Sequence, residues 1–297
     1  MWPDVSAEPW TWDWDESLYA GSAEHYPVGR MPYPPELADA VRDALGLDGR
    51  GRLLDVGCGP GSLTLLLAPL FAAAVGVDAD PGMVTEAGRQ AQAAGVGNVQ
   101  WRQMRAEELP GDLGTFDVVT FAQSFHWMDR DTVARRVKGM LRDGGAWVHV
   151  SATTHQGVPG DDPLPYPRPP WDAIKELTAT YLGATPRAGQ GTLPHGTRSG
   201  EVDVMRAAGY AGPQRIEVVR GDVVTRTADE MVSAVFSLSG SAPHLFGDRL
   251  GRFEDDLRRL LAETSPVGEF SERLREIGLM VWRLPVGTAH GPTTEDS

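Results

Sequence analysis

The chain predicts an α/β fold built on a parallel sheet with helices on both faces. Three observations carry this. Short apolar runs alternate with helical patterns from Arg52 to Ser151, the first run leads into a glycine-rich turn, and the second ends on an acid, Asp78. Strands separated by helices pair in parallel, because a crossover returns the chain to the same end of the sheet. The 297 residues suit two domains or one elaborated α/β domain, and 41% hydrophobic with 23% charged residues suffices for a packed core.

Before this region the sequence is aromatic. Trp2, Trp10, Trp12 and Trp14 all fall within the first fourteen residues, and the alternation from Trp10 to Trp14 sets its aromatics on one side of an extended segment. Residues 1–33 are expected to form a lid that is mobile alone and ordered over ligands. Pro34–Pro35 open a helix with Leu37, Val41 and Leu45 stacked at i, i+4, i+8.

The core is expected over 34–152. Leu53–Val56 is its first strand, followed by a helix from about Gly61 to Ala68. Ala73–Val77 is the second strand, and Pro81 opens a helix that Gly95 closes. Val99–Gln103, Phe116–Ala122 and Ala146–Ala152 are the next strands, with a helix from about Arg130 to Leu141 before the last. Beyond Ser151 the rhythm breaks. Residues 153–212 read as a Pro/Gly-rich and helical cap with one helix at Trp171–Leu182. Residues 213–297 complete the sheet, with a strand near Arg215–Val224, helices near Asp229–Leu238 and Asp248–Glu263, and a last strand at Ile277–Leu284.

Charge and cysteine content narrow the function. A net charge of −14 disfavours duplex DNA or an anionic membrane as the main partner, since both need a positive surface. A single Cys58 allows no internal disulfide. No signal-peptide pattern opens the sequence, and Pro69 interrupts the longest apolar stretch, so a soluble, cytoplasmic protein is expected.

The chemistry-bearing residues cluster at the predicted carboxyl ends of strands. Asp55-Val56-Gly57-Cys58-Gly59-Pro60-Gly61 lets the backbone turn sharply and approach a ligand, with the next helix presenting free N–H groups. A dinucleotide loop wants its third glycine at the sixth position, where Ser62 stands, so an NAD-dependent oxidoreductase is the disfavoured alternative. Asp78 is placed to accept hydrogen bonds from both hydroxyls of a ribose, while Asp80 is the better helix cap. Ala106-Glu107-Glu108-Leu109-Pro110 is a polar loop within reach of an adenine amine, and either acid can be offered.

Leu53 to Gly61 resembles motif I of the class I S-adenosylmethionine-dependent methyltransferases. Asp78, the Ala106–Pro110 loop and Phe116-Asp117-Val118-Val119 resemble the motifs that follow it. Tyr26, Gly29-Arg30, Tyr33-Pro34 and Ser124-Phe125-His126-Trp127 bring the chain closest to the small-molecule "type 11" group, which includes ubiquinone-pathway-like and trans-aconitate-like enzymes. The resemblance implies a Rossmann-like seven-strand sheet in the order 3-2-1-4-5-7-6, last strand antiparallel, with an added cap.

The resemblance also implies the cofactor, S-adenosyl-L-methionine, and its residues. Asp55, Gly57, Cys58, Gly59 and Gly61 would border its methionine part and ribose. Asp78 and Ala79 would face the ribose, Met83 the adenine face, and Ala106 and Glu107 the adenine rim. Ala122 and Gln123 would lie beside the sulfonium. Arg30 would reach the methionine carboxylate or make a surface ion pair.

Methyl transfer is an in-line displacement onto a small-molecule acceptor. His126 is the candidate base, against the alternative that it shapes the cofactor pocket. His25 and His195 lie in expected lid regions, His149 reads as structural, and no metal site is expected. A protein that uses the bound cofactor as a scaffold for another reaction would keep all these motifs. Neither the acceptor nor the oligomeric state is written in the sequence.

Overall fold

The computed structural model describes residues 15–193 and 199–285. Trp2, Trp10, Trp12, Trp14 and His195 lie outside them. The strands are β1 (Arg52–Val56), β2 (Ala73–Asp78), β3 (Val99–Gln103), β4 (Phe116–Ala122), β5 (Leu141–Ser151), β6 (Arg187–Ala188), β7 (Gly191–Thr192), β8 (Ala211–Val218), β9 (Val223–Thr227), β10 (Glu269–Arg273) and β11 (Ile277–Arg283). The helices are α1 (Tyr26–Gly29), α2 (Pro35–Leu45), α3 (Ser62–Leu67), α4 (Pro81–Ala94), α5 (Arg130–Lys138), α6 (Trp171–Leu182), α7 (Glu201–Ala207), α8 (Ala228–Phe236) and α9 (Leu250–Thr264).

Seven strands form the main sheet in the order β3-β2-β1-β4-β5-β11-β8. The first five are parallel, and β11 runs antiparallel to both β5 and β8. This is the expected order, with β8 and β11 as sixth and seventh strands. The sheet separates two apolar layers. Leu54, Phe121, Trp147 and Trp282 join Val133 and Val137 of α5 on one face, while Leu53, Val148 and Leu279 meet Leu37, Leu63 and Leu67 on the other. The alternation between Trp147 and Val148 is the two-residue period of a strand buried on both faces.

Local chemistry explains the helix ends. Asp80 caps α4 by accepting from the Met83 amide at 3.0 Å, Pro81 fills the first turn, and Gly95 ends the helix in the left-handed conformation. Asp129 caps α5 through the Thr132 amide.

Three elements differ from expectation. Gly144–Gly145 is an irregularity inside β5, whose pairing with β4 starts at Leu141 and shifts register before Ala146. The single strand expected near Arg215–Val224 is two, β8 in the main sheet and β9 beside β10. The chain leaves the sheet after Val218, where Val219 turns out to solvent at 77% exposure. The cap also straddles the boundary expected at residue 212. Ile174 and Leu182 of α6 share one apolar cluster with Val235 and Phe236 of α8, Phe253 and Leu257 of α9, and Phe270 of β10.

Residues 15–33 lie on this cap. Leu18 is fully buried with Ala188 and Leu193, and the Ser22 hydroxyl donates to the Phe236 carbonyl at 2.7 Å. Gly29 packs so closely on α8 that a Cβ there would lie 2.3 Å from the Ser233 backbone. Of the described aromatics of this segment, Tyr19 packs against the Leu18, Ala188 and Leu193 cluster. Slow hydrogen exchange is therefore expected at Gly29 and Met31, whose amides donate to His25 and Thr154 at 2.7 Å each, before any ligand is added. Fast exchange at both that slows only with cofactor would restore the mobile lid.

Candidate functional site

The order of the sheet reverses between β1 and β4. The connections from these strands leave on opposite sides, which opens a crevice at their carboxyl ends. One cavity there is lined by Gly57, Gly59, Asp78, Ala79, Met83, Ala106, Glu107, Ala122 and Gln123, together with Tyr19, Tyr26, Trp127 and Met128. A second shares Tyr26, Gly57, Gly59 and Ala122 with it and continues to Arg30, Tyr33, Cys58 and Thr154. Eleven of the thirteen expected cofactor residues line these two cavities.

The exceptions are Asp55 and Gly61. Asp55 is buried beneath the turn, where its carboxylate accepts from Thr64 Oγ1 at 2.6 Å and Thr120 Oγ1 at 2.7 Å. It ties α3 and β4 to β1. Burial raises its pKa to about 6, against the lowering effect of the two hydroxyls. Gly61 faces away from the cavities, and a Cβ there would meet the Trp101 ring at 2.6 Å. Its role is close packing.

Asp78 holds the turn and faces the cavity. Its Oδ2 accepts from the Gly59 amide at 2.8 Å and its Oδ1 from the Asp80 amide at 2.9 Å. Burial pushes its pKa up to about 6, with the two amides pulling the other way. Of the two acids in the loop after β3, Glu107 lines the cavity while accepting from the Asp129 amide at 2.8 Å. Glu108 instead turns back to the Arg105 amide at 2.7 Å. Gln123 has φ 54°, the only non-glycine residue among those described with positive φ. That conformation aims the chain out of β4 across the crevice.

Among the described residues Arg30 makes no ion pair. Its guanidinium donates to Ser237 Oγ at 2.8 Å and the Ser237 carbonyl at 2.9 Å, and lies 4.5 Å from the centre of the Tyr26 ring. Cys58 is buried, and burial raises its thiol well above the usual range, away from the reactive thiolate.

His126 is not brought into the crevice. It lines a neighbouring cavity with His149 and Glu201, beyond Gln123 and Ser124. Burial, reinforced by the charge of Arg130, lowers its pKa to about 4, which makes it a weak proton acceptor at neutral pH. His149 sits among Phe121, Phe125 and Trp147, and burial lowers its pKa to about 3. His25 packs near Phe236, at 5.1 Å between ring centres. Asp162 pairs with Arg273 at 2.6 Å.

Sequence reasoning did not assign Tyr19, Met104, Arg105 or Met128 to this crevice. Tyr19 falls in the aromatic segment and Met128 follows the Ser124–Trp127 stretch, so their positions alone carried a signal. Met104 and Arg105 carried none beyond their place after β3.

The site suits a nucleoside with an amino-acid tail. A Cβ at Gly59 would meet no protein atom within 4 Å, leaving the turn's backbone open to the cavity, with Asp78 on one side and Arg30 beyond. Residues 53–145 match the family described as a methyltransferase domain. An uncharacterized methyltransferase of Mycobacterium tuberculosis is 37% identical over 134 residues, 44% of this chain and 51% of that protein. The ubiquinone biosynthesis O-methyltransferase of Azorhizobium caulinodans is 40% identical over 112 residues, covering 37% and 42%. The 27-O-demethylrifamycin SV methyltransferase of Amycolatopsis mediterranei is 33% identical over 135 residues, covering 44% and 50%. The chain thus spans about half the length of the curated relatives it matches. A solved structure from Anaeromyxobacter dehalogenans, named for the type II methyltransferases, shares the fold at TM-score 0.50 and 21% identity, over 86% of this chain and 99% of that one. Residues 53–145 are thus similar to the methyltransferase-domain family, and the crevice they help to build suits S-adenosylmethionine as cofactor.

Proposed function

We propose that the protein is an S-adenosylmethionine-dependent methyltransferase that acts on a small-molecule acceptor in secondary metabolism. The observation that carries this is the continuous crevice at the β1/β4 reversal, where the glycine turn, Asp78, Met83 and the Ala106–Glu107 loop form one wall. The names of the Azorhizobium and Amycolatopsis relatives, both small-molecule methyltransferases, support the acceptor class.

The cofactor, when bound, supplies an activated methyl group. The chain binds and aligns. Asp78 would accept from the ribose hydroxyls, Met83 would lie on the adenine, Ala106 and Glu107 would meet its rim, and Arg30 would meet the methionine carboxylate. Tyr19, Tyr26 and Trp127 line the crevice and keep water from the reacting atoms. No base is assigned to His126, because it faces the neighbouring cavity.

A cavity of about 540 Å³ between α6 and the end of α8 is the place for the acceptor's apolar body, with Trp171, Ile174, Leu182, Val235 and Leu238 on its walls. His155, Lys175 and Arg187 add polar groups there. Among the described residues no helix is long and apolar enough to cross a membrane. A cytoplasmic location belongs to the same proposal.

The test is incubation of the protein with labelled S-adenosylmethionine and a panel of phenolic, amine and carboxylate acceptors. Adenosylhomocysteine formed only with acceptor supports the reading. Tight cofactor binding with no transfer to any acceptor favours the scaffold alternative. Binding of NADH and not of S-adenosylmethionine overturns both.

A further inference from the structure

A buried ion pair in the cap reaches the backbone of two segments that border the crevice. Arg226 of β9 and Glu272 of β10 are 4% and 3% exposed, and their Nη1 and Oε2 lie 3.1 Å apart. Arg226 also donates from Nη2 to the Gly29 carbonyl at 2.7 Å and from Nη1 to the His155 carbonyl at 2.9 Å. The second oxygen of Glu272 accepts from the Gly157 amide at 2.8 Å and from Trp171 Nε1 at 2.9 Å. One charge pair thus fastens the end of α1, the loop after β5, and the first residue of α6.

The adjoining residues give this its significance. Gly29 precedes Arg30, whose guanidinium rests on Ser237 and on Thr154 Oγ1, 3.4 Å away. The Met31 amide donates to the Thr154 carbonyl at 2.7 Å, so residues 29–31 lie fixed between Arg226 and the loop after β5. Two charges taken out of water weigh against stability unless every polar atom is satisfied. Here Arg226 donates to the Gly29 and His155 carbonyls and Glu272 accepts from the Gly157 amide, backbone groups near the cavity lined by Arg30 and Thr154, while the Trp171 indole meets the second Glu272 oxygen. A hydrophobic pair would join the same two strands without holding those carbonyls.

We propose that Arg226 and Glu272 are positioning residues for the amino-acid end of the cofactor, acting through Gly29–Arg30 and the loop at residues 154–157. The inference rests on the reading that Arg30 faces the cofactor's methionine carboxylate. It predicts a selective defect, because the nucleoside end is held by other elements, the β1 turn, Asp78 and the loop after β3.

The experiment is calorimetry on the full chain with two ligands. S-adenosylhomocysteine carries the amino-acid end, and 5′-methylthioadenosine has the same nucleoside and thioether without it. Arg226→Lys and Glu272→Gln are each expected to weaken S-adenosylhomocysteine about tenfold, the worth of one well-placed polar contact, and to leave methylthioadenosine within about twofold. In an Arg30→Met background, Arg226→Lys should have no further effect on S-adenosylhomocysteine. Trp171→Phe removes one donor to Glu272 while keeping the pair. It should show the same selectivity at smaller size, which keeps the test open should a charge variant fail to fold.

Equal weakening of both ligands in these variants, or an unchanged affinity for S-adenosylhomocysteine, overturns the inference while the cofactor reading stands. Wild-type protein that binds neither ligand overturns the cofactor reading and the inference with it. Wild-type binding that Arg30→Met leaves unchanged overturns the assignment of Arg30 and the inference that depends on it.

Discussion

Replacing Asp78 by alanine is expected to weaken S-adenosylhomocysteine binding by more than tenfold. A buried, charge-assisted hydrogen bond to a ribose hydroxyl contributes roughly 1.5–3 kcal/mol, and tenfold in affinity corresponds to about 1.4 kcal/mol. The variant also frees the Gly59 and Asp80 amides, which Asp78 holds at 2.8 and 2.9 Å, so part of the loss comes from a looser turn. Asp78→Asn separates the two effects, since the amide oxygen can still accept from one of those groups while the charge is gone. The wild type should show the matching pH dependence. Burial raises the Asp78 pKa to about 6 in the free protein, and ribose hydroxyls donating to the carboxylate favour its ionised form when cofactor is bound. Binding therefore releases a proton when pH lies below about 6. Affinity is constant above that pH and falls as pH drops through it, by up to tenfold per unit. Calorimetry between pH 5 and 8 reads both results. A folded Asp78→Ala protein with unchanged affinity would remove Asp78 from the site.

The contrast between Asp78 and Asp55 shows what the sequence could reveal. Both acids end or interrupt an apolar strand at the carboxyl edge of the sheet, and the motif offered both to the cofactor. The strand period does not separate them, because both lie on the sheet face of Leu53 and Ala74. Asp55 points to the face that α3 covers, where Thr64 and Thr120 consume its carboxylate. The central strands, the two glycine-closed turns and the Asp80 cap were legible because each rests on local chemistry: β-branched and leucine-rich runs, left-handed glycines, a proline in a first helical turn. His126 was misplaced because its short helical turn carries Trp127 into the crevice and His126 to the neighbouring cavity, a choice of direction that no spacing encodes. The cap was the least legible part. Its core joins α6 to α8, α9 and β10, across the return of the chain through β8, and such long-range contacts leave no mark on local periodicity. Arg226 and Glu272 carry no local signal in the sequence and meet only when β9 pairs with β10.

Three glycines in the turn after β1 should respond to alanine in three different ways. Gly57 has φ 69°, and a Cβ on it would lie 2.4 Å from Ser124 Cβ, on the loop that leaves β4. Ser124 cannot withdraw freely, because its hydroxyl donates to the Val56 carbonyl at 2.6 Å. The left-handed backbone costs about 1–2 kcal/mol and the clash about 1–3 more. Gly57→Ala should accordingly lower the melting temperature by roughly 5–15 °C. It should also abolish measurable cofactor binding, since both walls of the crevice move. Gly61 has φ 83° and meets Trp101, outside the crevice. Its alanine variant should lose similar stability, yet the protein that remains folded should bind cofactor within about threefold of wild type, since one kcal/mol separates only about fivefold in affinity. Gly59 has φ 54° with no protein atom within 4 Å of the added methyl, so its stability loss is the backbone cost alone, about 1–2 kcal/mol. The methyl would project into the open space beside the turn, where the ribose and methionine part are proposed to lie. Gly59→Ala should therefore weaken S-adenosylhomocysteine more than tenfold in a protein that melts within a few degrees of the wild type. Thermal denaturation and calorimetry on the three variants measure all six quantities. Wild-type affinity in Gly59→Ala would show that the open space over this turn is not where the cofactor binds.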